Sequence, residues 1–133
     1  MDFLSLIILI VVALSGASIV IYTLENGISP SPTGAKVKRR LLEVMADLPA
    51  PNDIRELGSG WGTLALPIAK QFPDARVTGY ENSIVPFVTS RLRWMMASTS
   101  NLRLLWTNFH SIDLADADVI VCYQSPGNMS NLR

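Results

Sequence analysis

Hydrophobic positions fall into two contrasting regimes along this chain of 133 residues. Residues 3–22, FLSLIILIVVALSGASIVIY, form an apolar run of about 20 positions that contains no charge. As a helix rising 1.5 Å per residue, that run measures roughly 30 Å, the thickness of a hydrocarbon core. Further along, Val37, Leu41, Leu42, Val44, Met45 and Leu48 recur at roughly helical spacing and predict an amphipathic helix over 35–48, closed by Pro49-Ala50-Pro51. From Asp53 the pattern changes again. Short apolar runs at 54–57, 76–80, 102–107 and 119–123 predict strands, and the longer segments 63–72 and 84–96 between them predict helices. Strands interleaved with helices predict an α/β fold, a parallel sheet covered on both faces. Pro67 falls early in its helix, where a missing amide is tolerated.

This patterning divides the chain into an N-terminal transmembrane anchor (1–24), a linker (25–34) rich in turn formers, and a domain (35–133). Ser31 or Thr33 is placed to cap the helix that opens the domain. A cleaved signal peptide is the competing reading of the first segment. It calls for a basic n-region and a shorter apolar core, whereas the only early side-chain charge is Asp2. Lys36, Lys38, Arg39 and Arg40 follow the run and no Lys or Arg precedes it, so the positive-inside rule puts the domain in the cytoplasm. Those four cations either form a solvated helix face or meet anionic lipid beside the anchor. About ten residues follow the fourth strand, so the sheet is expected to stop short of its full complement.

Charge and cysteine content exclude more than they suggest. Eleven basic residues balance eleven acidic ones, leaving no global field that would attract nucleic acid. Cys122, the single cysteine, has no partner for an internal disulfide and reads as a buried thiol in an apolar strand. His110 is the single histidine and reads as a loop or surface residue. No Cys/His cluster suggests a metal.

The chemistry concentrates in Glu56-Leu57-Gly58-Ser59-Gly60-Trp61-Gly62 and in Val77-Thr78-Gly79-Tyr80-Glu81. Close-set glycines between a strand and a helix let a ligand approach the backbone, because a Cβ would obstruct it. The dinucleotide fingerprint spaces its glycines G-x-G-x-x-G around a pyrophosphate. In this chain they run G-x-G-x-G, and Glu56 precedes them, a carboxylate that would repel pyrophosphate and attract a cationic amino group. Glu81, ending the second strand, is placed to accept hydrogen bonds from both hydroxyls of a ribose. A tight turn in an unrelated α/β domain and a solvated strand end are the bland alternatives for the two motifs.

At these residues the sequence resembles the class I S-adenosylmethionine-dependent methyltransferases, with ELGSGWG as the first motif and VTGYE as the acidic strand after it. The resemblance implies a Rossmann-like sheet and S-adenosyl-L-methionine as cofactor. It assigns Glu56, Gly58, Ser59 and Gly60 to the methionine part, Gly62 to close packing, Glu81 to the ribose and Asn82 to the adenosine. Asn108 and Phe109 occupy the place where the third strand meets adenine, although Asn108 stands where Asp is frequent. The anchor, the basic helix, GSGWG and GYENS together are also similar to small membrane-anchored protein-lysine methyltransferases. That family includes mitochondrial enzymes that act on the ATP synthase c-subunit and the adenine nucleotide translocase, which implies a membrane-protein substrate.

Gln124-Ser125-Pro126-Gly127 shares an amide and a proline with the Asn/Asp-Pro-Pro-aromatic loop of amino-group methyltransferases but lacks its aromatic residue. Gln124 is therefore the one candidate for orienting a nucleophile, against an ordinary strand-ending turn. Trp61 is expected near the ligand, and Trp94 and Trp106 in the core or at its edge. Two other functions remain open: a dinucleotide-binding oxidoreductase, and a non-catalytic membrane-tethered fragment that binds the cofactor.

Overall fold

The structure, a computed structural model, describes residues 2–26 and 32–123. Helix α1 (Phe3–Asn26) takes up the apolar run, and α2 (Ala35–Ala46) the amphipathic segment. The domain continues as β1 (Asp53–Leu57), α3 (Ala65–Gln71), β2 (Arg76–Glu81), α4 (Ile84–Ala97), β3 (Leu102–Trp106), a 3-10 turn (Phe109–Ser111) and β4 (Val119–Cys122). Each expected element is present, with ends shifted by a few residues. Helix α1 runs on to Asn26, four residues past the apolar run, and α3 begins after Leu64 rather than at Thr63, because the glycine turn runs further before the chain becomes helical. Pro67 lies in its first turn, as its missing amide requires. Thr33 does not cap α2, because Gly34 holds the N-cap position without a side-chain bond; Ser31 lies outside the described residues.

The four strands are parallel and ordered β3-β2-β1-β4. In register, Ile54 lies beside Val77 and Val119, and Val77 beside Leu102. These side chains share one face, where α2, α3 and α4 bring Leu42, Ile68 and Phe87 against them in the main core. Both faces of the sheet are covered, but helices cover only one of them. The steps β1 to β2 and β2 to β3 run in the same direction, and right-handed crossovers put α3 and α4 on one side. The step from β3 to β4 returns past β2 and β1, so residues 107–118 cross the opposite face. There Leu57, Tyr80 and Phe109 make a small second core, with Ile112, Leu114 and Cys122 packed against it. Among the described residues, that crossing segment is the whole cover of this face.

The reversal of direction between β1 and β4 is a topological switch point. In open α/β sheets, ligands bind beyond the carboxyl ends of the strands at that point. Both motifs singled out in the sequence end there.

Candidate functional site

Leaving β1, the chain makes its turn with Gly58, Gly60 and Gly62 all at positive φ (76°, 51° and 72°). Side chains strain that conformation, which explains the spacing of three glycines at alternate positions. The turn is fastened to β2 rather than to its own strand. The amides of Gly58 and Ser59 both donate to the Tyr80 carbonyl, at 2.9 and 2.8 Å. Gly79 makes room for it: a Cβ there would lie 2.9 Å from both the Ser59 Cβ and Leu104 Cδ2.

Glu81 holds the tip of the turn. Its Oε2 accepts the Gly60 amide at 2.7 Å, and its Oε1 accepts the Ser83 amide at 2.7 Å. Its carbonyl accepts from the Thr107 amide at 3.0 Å. One residue thus ties the glycine turn and the β2–α4 junction through its side chain, and the end of β3 through its carbonyl, into a single rim. The carboxylate has about four lone-pair sites, so two remain to accept from a ligand diol.

Glu56 sits below this rim, in the last turn of pleat before the glycines, and only 4% of it is exposed. Its Oε2 is buried without a hydrogen-bond partner, as is the Ser59 Oγ. Burial, followed by the nearby charge of Glu81, pushes the Glu56 carboxyl well above the ordinary carboxylate range. A buried acceptor without a donor is costly. The two orphaned oxygens, lying at the base of a glycine turn, suit a ligand that brings a cationic N–H donor.

Helix α4 braces the turn from behind. A Cβ on Gly62 would stand 3.0 Å from the Ser90 Cβ, and Arg93 Nη1 donates to the Trp61 carbonyl at 3.2 Å. Ser90 is fully buried and returns its hydroxyl to the Phe87 carbonyl. Sequence reasoning missed Gly79, Ser83, Ser90 and Arg93. Gly79 was visible within its motif, but its purpose depends on how closely the Ser59 loop approaches. The roles of Ser83, Ser90 and Arg93 follow from where α4 packs, and local sequence does not record that.

The remaining candidates are placed as follows. Asn82 lies between Glu81 and α4, and its carbonyl accepts the Trp106 indole N–H at 2.9 Å. Asn108 is exposed and caps the 3-10 turn through its Oδ1, which accepts from the His110 amide at 3.0 Å. Phe109 is buried beneath Leu57 and Tyr80, so its ring builds the floor of the strand ends. Trp94 packs against the main core, and Trp106 is largely exposed at the sheet edge. His110 is exposed, and Cys122 is partly buried with its thiol pushed up by burial and by Glu56. Gln124 lies outside the described residues. Among those described, no three His, Cys, Asp or Glu side chains gather to hold a metal.

With this geometry established, known structures provide the comparison. The chain is similar to an RNA methyltransferase from Salinibacter ruber in complex with S-adenosyl-L-homocysteine. The TM-score is 0.68 at 26% identity, over 77% of this chain and 67% of that one. It is also similar to precorrin-6y C5,15-methyltransferase from Geobacter metallireducens, with TM-score 0.64 and 16% identity over 75% of this chain and 54% of that one. Coclaurine N-methyltransferase bound to N-methylheliamine and S-adenosyl-homocysteine gives TM-score 0.56 at 21% identity, over 69% of this chain and 28% of that one. The chain therefore spans from about a quarter to two thirds of the length of these structures. No family model matches the sequence, and no curated protein matches it. The fold is the Rossmann-like fold of the class I S-adenosylmethionine-dependent methyltransferases.

Proposed function

We propose that the chain binds S-adenosyl-L-methionine at the carboxyl ends of β1 and β2 and serves methyl transfer at a membrane. The observation that carries this reading is the pairing of two carboxylates in different states. Glu81 is fully engaged with the rim yet keeps two acceptor sites for a ribose diol. Glu56 is buried with an orphaned oxygen that an α-amino group would satisfy. A pyrophosphate, by contrast, would place its charge against both. The solved structures that carry S-adenosyl-homocysteine on the same fold support the choice of ligand.

When bound, the cofactor supplies an electrophilic methyl group on a sulfonium. The residues of this chain bind and orient: Glu56 takes the ammonium, the Gly58–Gly60 turn admits the ligand to the backbone, and Glu81 fixes the ribose. Catalysis then rests on holding an acceptor in line and excluding water. Membrane attachment is supported by α1, whose apolar span Phe3–Glu25 contains a stretch with a mean hydropathy of 2.8 and no fully buried residue. The four cations that follow support a cytoplasmic domain. The stretch between α1 and α2, residues 27–34, reaches at most about 30 Å, which keeps the site near the bilayer. The acceptor we propose is a lysine amine of a membrane protein, supported by the anchor and by the resemblance of GSGWG and GYENS to membrane-anchored lysine methyltransferases.

Calorimetry of the full chain in detergent, with S-adenosyl-L-methionine, its demethylated product and NAD as separate titrants, tests the site. Binding of the first two is expected, and binding of NAD alone overturns the reading. A second reading, a tethered module that binds cofactor without turnover, is favoured by the sparse cover on the second face of the sheet. Transfer of labelled methyl into lysines of membrane extracts decides between them, because binding without labelled product favours the module.

A further inference from the structure

Helix α4 presents two contrasting faces. Pro86 and Ser90 are buried, and Phe87 and Trp94 pack against the main core. On the other side, Ile84, Val88, Leu92 and Met95 follow one another at i, i+4, i+8 and i+11, a single stripe along the helix. All four are exposed, Met95 at 73%, and the adjoining Met96 is exposed at 85%. A helix of 14 residues is about 21 Å long, so the stripe runs the full length of the domain's flank.

The stripe lies on the helix that meets the apolar helix α1. Helix α1 packs against α4. Its partly buried positions are Ser15, Ser18, Ile19, Tyr22 and Thr23, one face of its C-terminal half, and the rest of its surface stays exposed. On α4, Val85 and Thr89 are half-buried on the side next to the stripe. The exposed apolar stripe of α4 and the exposed apolar surface of α1 thus belong to two helices in contact. Arg91 flanks it, held over the Trp94 ring at 4.9 Å. At the α4 N-terminus the exposed Trp106 ring stands with its N–H on the Asn82 carbonyl. A cation and an amphipathic indole at the margin of an apolar surface are the composition of a membrane interface.

We infer that the Ile84–Val88–Leu92–Met95 stripe of α4 lies in the interfacial layer of an anionic phospholipid bilayer, alongside α1. The inference rests on the membrane-anchored reading above and deepens it. Helix α4 starts at Ser83, whose amide binds Glu81, so a helix lying on lipid holds the cofactor rim at the bilayer surface. Acceptors at or in the interface are then favoured over soluble ones.

The full chain, carrying Cys122→Ser and one new cysteine at a time, is reconstituted into phosphatidylcholine vesicles containing phosphatidylglycerol and labelled with a small fluorophore. Leu92→Cys and Met96→Cys report the stripe, and Asp74→Cys, exposed in the turn before β2, is the reference. Circular dichroism confirms folding of each. Spin-labelled lipid is expected to quench the two stripe positions several-fold more than position 74. Equal quenching at all three overturns the inference. So does weak quenching at 92 and 96 accompanied by oxidative disulfide cross-linking between copies in a parallel unlabelled sample, which would make the stripe a self-association surface. Alkaline extraction of the same vesicles tests the anchor separately: chain that resists extraction but shows equal quenching loses only the placement of α4.

Discussion

Glu81 grips the glycine turn through Gly60, with the amide donating to Oε2 at 2.7 Å, although the two residues lie twenty-one positions apart. The turn and the acid are thus one structural unit, and the acid is held in place before any ligand arrives. Such preorganisation lowers the cost of binding. Under the proposed function Glu81 then has two duties, one to the rim and one to the ligand.

Glu81→Gln separates those duties. The amide oxygen can keep one backbone amide, but the amide nitrogen faces the other and cannot accept from it. Loss of a charge-assisted bond on each side costs about 1.5–3 kcal/mol. Cofactor affinity is expected to fall by roughly ten- to a hundredfold, with a lower urea midpoint for the ligand-free chain. Calorimetry and denaturant titration measure the two effects. Unchanged affinity with lowered stability would leave Glu81 only its structural role.

Glu56 should show the opposite trade. It is raised by burial first and by Glu81 second, from an ordinary value of 4.5. A raised carboxyl contributes stability that is fully present below its unfolded value and is lost as pH rises through its folded value. Ligand-free protein is therefore expected to lose stability as pH climbs above about 4.5, and Glu56→Gln to flatten that loss and raise the neutral-pH midpoint. Binding of an ammonium favours the ionised form, so cofactor affinity should rise with pH in the parent and lose this dependence in Glu56→Gln. A variant that is neither more stable nor weaker in binding would remove Glu56 from the site.

Gly62 meets two separate constraints, a φ of 72° and a 3.0 Å approach to the Ser90 Cβ. Gly62→Ala is expected to cost about 1–3 kcal/mol, from left-handed strain and from pressing α4 away. Because α4 also meets the turn through Arg93 and the Trp61 carbonyl, displaced packing should weaken cofactor binding as well. Thermal unfolding with and without cofactor checks both. Gly34→Ala, at a glycine with nothing within 4 Å, is the reference and should change little.

The sequence was most legible where local chemistry and tertiary role coincide. Alternation and glycine spacing located all four strands and the rim, because a turn at positive φ leaves a local trace. The covering of the sheet was not legible in the same way. Which side each connection takes depends on the order of the strands, and the reversal after β3 is not marked in the residues themselves. Phe109 illustrates the difference: nothing in an aromatic residue after a strand records that it packs with Leu57 and Tyr80. Gly34 is a smaller case. Ser31 and Thr33 were the better cap formers by propensity, yet the Thr33 amide donates instead to the Thr63 hydroxyl at 3.1 Å, joining the approach to α2 to the glycine turn.

Asp118 provides a pH dependence of the other sign, at the opposite end of the sheet. Its Oδ2 accepts the amides of Asn52 and Asp53 at 2.7 and 3.0 Å, fastening the start of β4 to the start of β1. Those two bonds hold its carboxyl below the ordinary value of 3.8. A lowered carboxyl contributes stability that is present above its unfolded value and is lost as pH falls through its folded value. Asp118→Ala is therefore expected to lower the urea midpoint at neutral pH, with the gap to the parent closing as the solution becomes acid. Glu56→Gln should differ from the parent in the reverse sense, gaining at neutral pH and converging in acid. Denaturant titrations of the parent and both variants, run in parallel from about pH 7 to about pH 3, separate the two carboxylates. A gap for Asp118→Ala that persists unchanged into acid would show that its β1 contacts do not depend on charge.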